Sequence, residues 1–257
     1  QRYLYVVAAR GLADEQDPAI GQELLTAFRS FAPLDRPQIV SILASRSQWA
    51  ELLLKAVGTG AIERQEITPF QARQIASLNI PELDRLLTDY WGQVRETSAE
   101  RQQQIADLKR SLSDQSLSNA HPGRGRSLFA RSCAPCHMLF GEGGKLGPDL
   151  TGAQRSNLDY LLENIIDPSA VVTKEFRATV LRLHDGRVLT GLVTHQSDKV
   201  LTLATQDQSS QIDQNEIEET LQTTQSTMPE GLLSQLTAEQ VRDLLAYLRS
   251  PRQVDPE

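Results

Sequence analysis

Only two cysteines occur in this chain, three positions apart, with a histidine directly behind them: Cys133-Ala134-Pro135-Cys136-His137. That run puts two thiols and an imidazole on one turn. It is the arrangement that forms two thioether bonds to the haem vinyl groups and gives iron one axial nitrogen. A structural zinc site needs four ligands, usually two Cys pairs or a Cys pair with a spaced His pair, and nothing elsewhere in the chain completes such a set. A thioredoxin-like dithiol sits at a helix start inside an alternating strand and helix pattern, which is missing here. One covalently attached haem c is therefore the expected cofactor, with Cys133 and Cys136 as attachment points and His137 as a metal ligand.

Such a module is small, and 257 residues leave room for one to three domains, each able to bury a core. With 26 Lys plus Arg against 33 Asp plus Glu, the formal charge is -7. No basic run interleaved with aromatics stands out, which disfavours a nucleic-acid partner. No window reaches the roughly 20 consecutive apolar residues of a membrane span. The chain opens on Gln1 without a basic-then-apolar leader and reads as a soluble piece of a longer protein. Since thioether attachment of haem takes place on the exported side of a bacterial membrane, a periplasmic or otherwise exported location is expected.

From Tyr3 to about Ser118 the pattern is helical. Pro18, Pro37, Pro69 and Pro81 stand at helix starts, Ser47 is a candidate cap for a segment with Trp49, Leu52, Leu53 and Val57, and Gly58 and Gly60 stop it. Phe70, Ile75 and Leu78 are read as the apolar face of the segment that Pro69 opens. A polar helix from about Ser98 to Leu112 carries Ile105, Leu108 and Leu112 on one stripe. Short amphipathic helices joined by tight turns fit stacked helical repeats or an ordinary bundle. This region is expected to be a scaffold, spacer or docking surface. Ser111 to Gly125 reads as a linker.

Arg124 to Ser132 can form a helix delivering Leu128 and Phe129 to one side. After the cysteines comes a loop with Gly141, Gly143, Gly144 and Gly147, ending in Gly147-Pro148-Asp149-Leu150. The Pro148 carbonyl is a candidate acceptor for His137 Nδ1, which would hold the tautomer and strengthen iron ligation; the alternative is a simple turn proline. Leu150 is expected on the haem face. Arg155 is either a partner for a haem propionate or a solvated charge. Asn157 can cap a helix with Leu158, Leu161, Leu162, Ile165 and Ile166 on its core face.

From Lys174 the period becomes alternating. Strands are read at Phe176 to Leu183, Val188 to His195, Lys199 to Thr205 and Gln211 to Glu216, with Asp185-Gly186 and Gln206 to Ser210 as turns. His184 and His195 lie in these strands, and either could reach iron, against the alternative of exposed residues near turns. A final helix follows a Thr237 to Gln240 capping box and carries Val241, Leu244, Leu245 and Leu248. Just before it stands Met228-Pro229. A thioether is a soft ligand that favours ferrous iron. Met138 is bonded to the proximal histidine and so starts on the wrong side of the ring. Met228 is the candidate second axial ligand, against the alternative of a methionine filling a core gap.

With these residues in place, about Gly123 to Leu248 resembles the planctomycete-type haem-binding domain, a c-type cytochrome domain at the C-terminus of large exported dehydrogenase-like proteins. The matching words are Arg124-Gly125-Arg126 with Leu128-Phe129, CAPCH, GPDLTG at 147 to 152, DPS at 167 to 169, DGR at 185 to 187, MPEGLL at 228 to 233 and DLLAYL at 243 to 248. The preceding helices resemble, more loosely, the repeat region of that family. The resemblance implies covalent haem, His137 and Met228 as axial ligands, and electron transfer with a redox partner or an upstream dehydrogenase domain.

The expected fold is mainly α with a small β insertion. A helical repeat-like or bundle domain (1–118) precedes a class I-like cytochrome c domain in two parts (119–173 and 223–257), interrupted by a small antiparallel β module (174–222). The alternatives to an electron carrier are an interaction scaffold built on the helices and strands, and a haem enzyme or sensor with an open distal site.

Overall fold

The structure, a computed structural model, describes residues 17–257 except 34, 113–116, 118 and 207. The expected helix content from Tyr3 to Gln16, and part of the expected linker, lie outside the described residues. The chain divides into two compact units, Gln1–Arg95 and Glu96–Glu257.

Among the described residues of the first unit, five α-helices follow in order: α1 (Pro18–Thr26), α2 (Arg36–Leu43), α3 (Ser47–Gly58), α4 (Pro69–Ala76) and α5 (Pro81–Leu86). A π-helical turn (Leu87–Trp91) and a short strand β1 (Gly92–Val94) close the unit. Proline occupies the first or second helical position of α1, α2, α4 and α5, where a missing N–H costs nothing. Helix α3 packs against α1, α2 and α5 and buries Trp49, Ala50, Leu53, Leu54 and Val57. Two readings of the sequence need correction. Arg46, not Ser47, stands at the N-cap position of α3, with no side-chain capping hydrogen bond, and its guanidinium stacks over the Trp49 ring at 5.2 Å. Phe70 is exposed, while the capping pair Thr68 and Gln71 turns Gln71 inward to donate to the Pro37 carbonyl and Ser41 Oγ, both at 2.9 Å.

The second unit begins earlier than the boundary expected at 118. Helix α6 (Ala99–Ser111) packs on α8 (Leu158–Ile166) and sets Ile105 and Leu108 against the second unit's core. The end of the expected linker is also helical, because α7 runs over Pro122–Ser132. Helix α7 lies against the last helix, α9 (Ala238–Arg249), with Phe129 edge-on to Tyr247 at 5.5 Å between centroids. These two helices and α8 enclose a core that includes Leu128, Phe129, Leu139, Leu162, Leu245 and Tyr247. Caps define the helix starts: Asn157 Oδ1 accepts from the backbone N–H groups of Asp159 and Tyr160, and Thr237 and Gln240 form a capping box.

Between α7 and α8 lies a two-stranded hairpin, β2 (Met138–Leu139) and β3 (Glu142–Gly143). After α8 come β4 (Val171–Thr173) and then five antiparallel strands: β5 (Arg177–Leu183), β6 (Val188–Gln196), β7 (Val200–Ala204), β8 (Ser209–Asp213) and β9 (Ile217–Ser226). Their spatial order is β8-β7-β6-β5-β9. Leu181, Leu183, Leu201, Leu203 and Ile212 make this sheet's own apolar cluster. His184 and His195 are exposed. The fifth strand, β9, was not expected. It is an edge strand whose residues are mostly exposed, so backbone ladder bonds to β5 hold it and no apolar alternation marks it.

Candidate functional site

The Cys133–His137 run forms the turn that ends α7. The N–H groups of Cys133 and Ala134 both donate to the Phe129 carbonyl at 2.8 Å, and the Cys133 carbonyl accepts from Cys136 at 3.1 Å and His137 at 2.8 Å. The backbone thus curls on itself and brings both thiols and the imidazole to one place. Both cysteines are free thiols, half-buried. Burial, helped by the neighbouring Cys136, pushes the Cys133 thiol up to about 12; burial also raises Cys136. Burial lowers His137 below its ordinary value, against the opposing pull of a hydrogen bond to the Pro148 carbonyl.

The glycine-rich loop wraps the backbone of this turn. Gly144 N–H donates to the Ala134 carbonyl at 2.7 Å, Gly147 N–H to Cys136 at 2.8 Å and Leu150 N–H to Met138 at 2.8 Å. Entry to the loop is a hairpin turn with positive φ at Phe140 (54°) and Gly141 (83°), the two central positions of a type I′ turn. Phenylalanine is an unusual occupant of that conformation. Its N–H donates to Thr151 Oγ1 at 2.9 Å, and its ring lies between the Arg155 guanidinium (4.8 Å) and Tyr247.

Pro148 stands where the sequence placed it: its carbonyl lies 2.9 Å from His137 Nδ1. A carbonyl can only accept, so Nδ1 carries the proton and Nε2 keeps its lone pair for a metal. Gly147, which the sequence reading left as one glycine of a loop, is as important. A Cβ at that position would lie 2.6 Å from His137 Cε1 and 2.8 Å from Nδ1. Only glycine lets the backbone lie directly on the ring. The signal was its place beside Pro148 in GPDL. The donor set therefore fits a c-type haem: two free thiols on one turn, and an imidazole whose tautomer and orientation are held by the protein itself. Among the described residues no group of three His, Cys, Asp or Glu side chains is arranged to hold a metal ion.

Leu150 is half-buried against the core of the second unit. Arg155 is not a solvated charge. It is 8% exposed, with Nε donating to the Leu150 carbonyl at 2.7 Å and Nη1 donating to the carbonyls of Leu248 and Ser250. Burial lowers its pKa. Those orphaned carbonyls at the end of α9 and in the loop claim the guanidinium, which ties GPDL to the last helix.

Met228 lies in the irregular segment after β9, half-buried, and its N–H donates to Ser226 Oγ at 3.1 Å. Ser226 N–H in turn donates to Ser169 Oγ at 3.1 Å. Two residues beyond Met228, Glu230 pairs with Arg101 of α6, whose other Nη binds the fully buried Asp167. Sequence reasoning did not assign Arg101, Asp167 or Ser169 to the site.

Residues 123–173 match the family model described as Cytochrome c. The match supports a c-type cytochrome domain and, with it, covalently bound haem c and an electron-carrying role. No curated protein matches the chain. Among the described residues no helix is long and apolar enough to cross a membrane.

Proposed function

We propose that the second unit is a one-electron carrier of the planctomycete-type, with a single haem c attached at Cys133 and Cys136 and ligated by His137 and Met228. Haem c supplies a one-electron ferric/ferrous couple whose potential depends on its axial ligands and their hydrogen bonds. The observation that carries this reading is the contact of His137 Nδ1 with the Pro148 carbonyl. That bond directs Nε2 toward iron, and the backbone of Gly147 keeps the ring from turning. The half-buried thiols of Cys133 and Cys136 would hold the cofactor at the end of α7, with Leu150 beside it.

Met228 supplies the thioether that closes the distal side. The β module lengthens the path from attachment site to distal ligand. The partner is a redox protein or an upstream dehydrogenase portion, and the setting is periplasmic or otherwise exported, where haem is attached to such thiols. The first unit is a scaffold or docking platform.

A pyridine haemochrome spectrum of protein made in a haem-attaching host tests the cofactor: a two-thioether c-type spectrum is expected, and its absence overturns the reading. Met228→Ala tests the distal ligand. Loss of the weak red band of methionine-ligated ferric haem, a lower potential and fast carbon monoxide binding are expected. An unchanged spectrum and potential would remove Met228 from the ligand set. Rapid, tight carbon monoxide binding by the unaltered reduced protein would favour an open-site enzyme or sensor.

A further inference from the structure

The segment carrying Met228 re-enters the second unit's core only at Leu233. Met228 is not among the residues packed on the second unit's core, and the segment borders a cleft of about 310 Å³ lined by Arg101, Gln104, Ile165, Ile166, Glu230 and neighbouring loop residues. Polar contacts hold it instead. Arg101 reaches from the first turn of α6 and forks, one Nη on Asp167 Oδ1 and the other on Glu230 Oε2. Asp167 ends α8 with its side chain fully buried, so its charge requires compensation, while Glu230 is half-exposed on the loop. The pairing with Glu230 is the largest influence raising the Arg101 guanidinium above its ordinary pKa. A second strap starts two residues after Asp167: Ser169 Oγ accepts from Ser226 N–H, and Ser226 Oγ accepts from Met228 N–H.

We infer that Arg101 is a positioning residue for the distal ligand: anchored on the buried Asp167, it clamps the Met228 loop through Glu230 and so sets how often the thioether leaves iron. The inference rests on Met228 being the sixth ligand. Arg101 reaches the Met228 loop through Glu230 and acts through loop closure. A planar fork is needed because the two carboxylates belong to different segments, and a lysine ammonium lacks the fixed geometry to serve both.

The test uses the full chain carrying haem and follows carbon monoxide association with the reduced protein, which is limited by departure of the methionine, together with the potential and hydrogen exchange at the Met228 amide. Glu230→Ala removes the loop arm and leaves Asp167 paired. Arg101→Gln removes both arms and takes the guanidinium charge away from the buried carboxylate of Asp167. Both are expected to speed carbon monoxide association about tenfold or more, as losing a charge-assisted hydrogen bond allows, to lower the potential and to speed exchange at Met228. Arg101→Lys is expected to fall between Arg101→Gln and the parent.

Lys109→Gln is the control. It removes the α6 to α8 pair with Asp159, 2.6 Å in length, and leaves the loop alone, so it is expected to lower stability with an unchanged association rate. If Glu230→Ala matches the parent while Met228→Ala abolishes the red band, the clamp is overturned and the ligand stands. An effect of Lys109→Gln equal to that of Arg101→Gln also overturns it, because seating of α6 would then account for the change. If Met228→Ala keeps the band and the potential, the ligand assignment fails and the clamp falls with it.

Discussion

Gly147 lies flat against the imidazole of His137, so close that a methyl group in its place would sit 2.8 Å from Nδ1. The ring and the Gly147-Pro148 backbone are fitted as one piece. Gly147→Ala is therefore expected to force either the ring or the loop outward. The cost is about 1–3 kcal/mol of overpacking, read as a lowered melting temperature, with a displaced potential in the haem-bound protein. An alanine variant with parental melting and potential would mean that the loop yields freely.

Pro148→Ala tests the neighbouring residue in the opposite sense. The group that His137 Nδ1 addresses is a backbone carbonyl, and alanine retains it. The Nδ1 proton resonance and the potential should stay as they are. Stability should fall by only about 0.4–1 kcal/mol, through the greater freedom of the unfolded chain. Loss of the Nδ1 resonance would show that the proline ring, not its carbonyl, places the acceptor.

Arg155→Ala leaves the carbonyls of Leu248 and Ser250 without the guanidinium donor they now have, leaves Leu150 with the Ala153 N–H alone, and opens space beside Phe140. Its expected effect is a large loss of stability, at about 1–3 kcal/mol for each buried group left unsatisfied. Arg155→Lys can serve one of these carbonyls and should recover part of the loss. A change in potential without a change in denaturation midpoint would instead assign this guanidinium to a haem propionate.

The ionisable groups of the attachment turn predict how stability of the haem-free chain varies with pH. Cys133 is raised in the folded state from 9.0 to about 12, so the folded chain holds its proton more tightly. Its contribution is complete below about pH 9 and is lost as pH rises toward 12. His137 is lowered from 6.5, so its contribution is present above that value and is lost as pH falls through its folded pKa. Denaturation of haem-free protein should therefore show a stability plateau between about pH 6.5 and 9, with decline on both sides. Alkylation at neutral pH should label Cys136 before Cys133. Equal labelling of the two thiols would show that the turn is open in solution.

Much of this was legible from residue order. The attachment run, the capped helix after Asn157, the capping box at Thr237 and the Asp185-Gly186 turn depend on contacts within a few positions, where residue type alone decides the hydrogen bond, and the Pro148 acceptor lies 11 positions from His137 at the end of the same glycine-rich loop. Strand β9 and the membership of helix α6 in the second unit were not legible, for one reason. Each is held by partners distant in sequence: β9 by the ladder of β5, and α6 by α8 and by ion pairs at Asp167, Glu230 and Asp159. Arg155 belongs with them, since its acceptors at Leu248 and Ser250 lie far along the chain.

Sequence by itself determined the chemistry at one end of the site: two thiols and an imidazole on a turn, and the carbonyl that orients the imidazole. Tertiary structure decided everything that depends on two distant segments meeting, from the glycine that only the His137 ring makes indispensable to the guanidinium that bridges Asp167 and Glu230. The physical reason is that a buried charge or a close backbone approach has its energy set by whatever faces it, and no local pattern records which segment that will be.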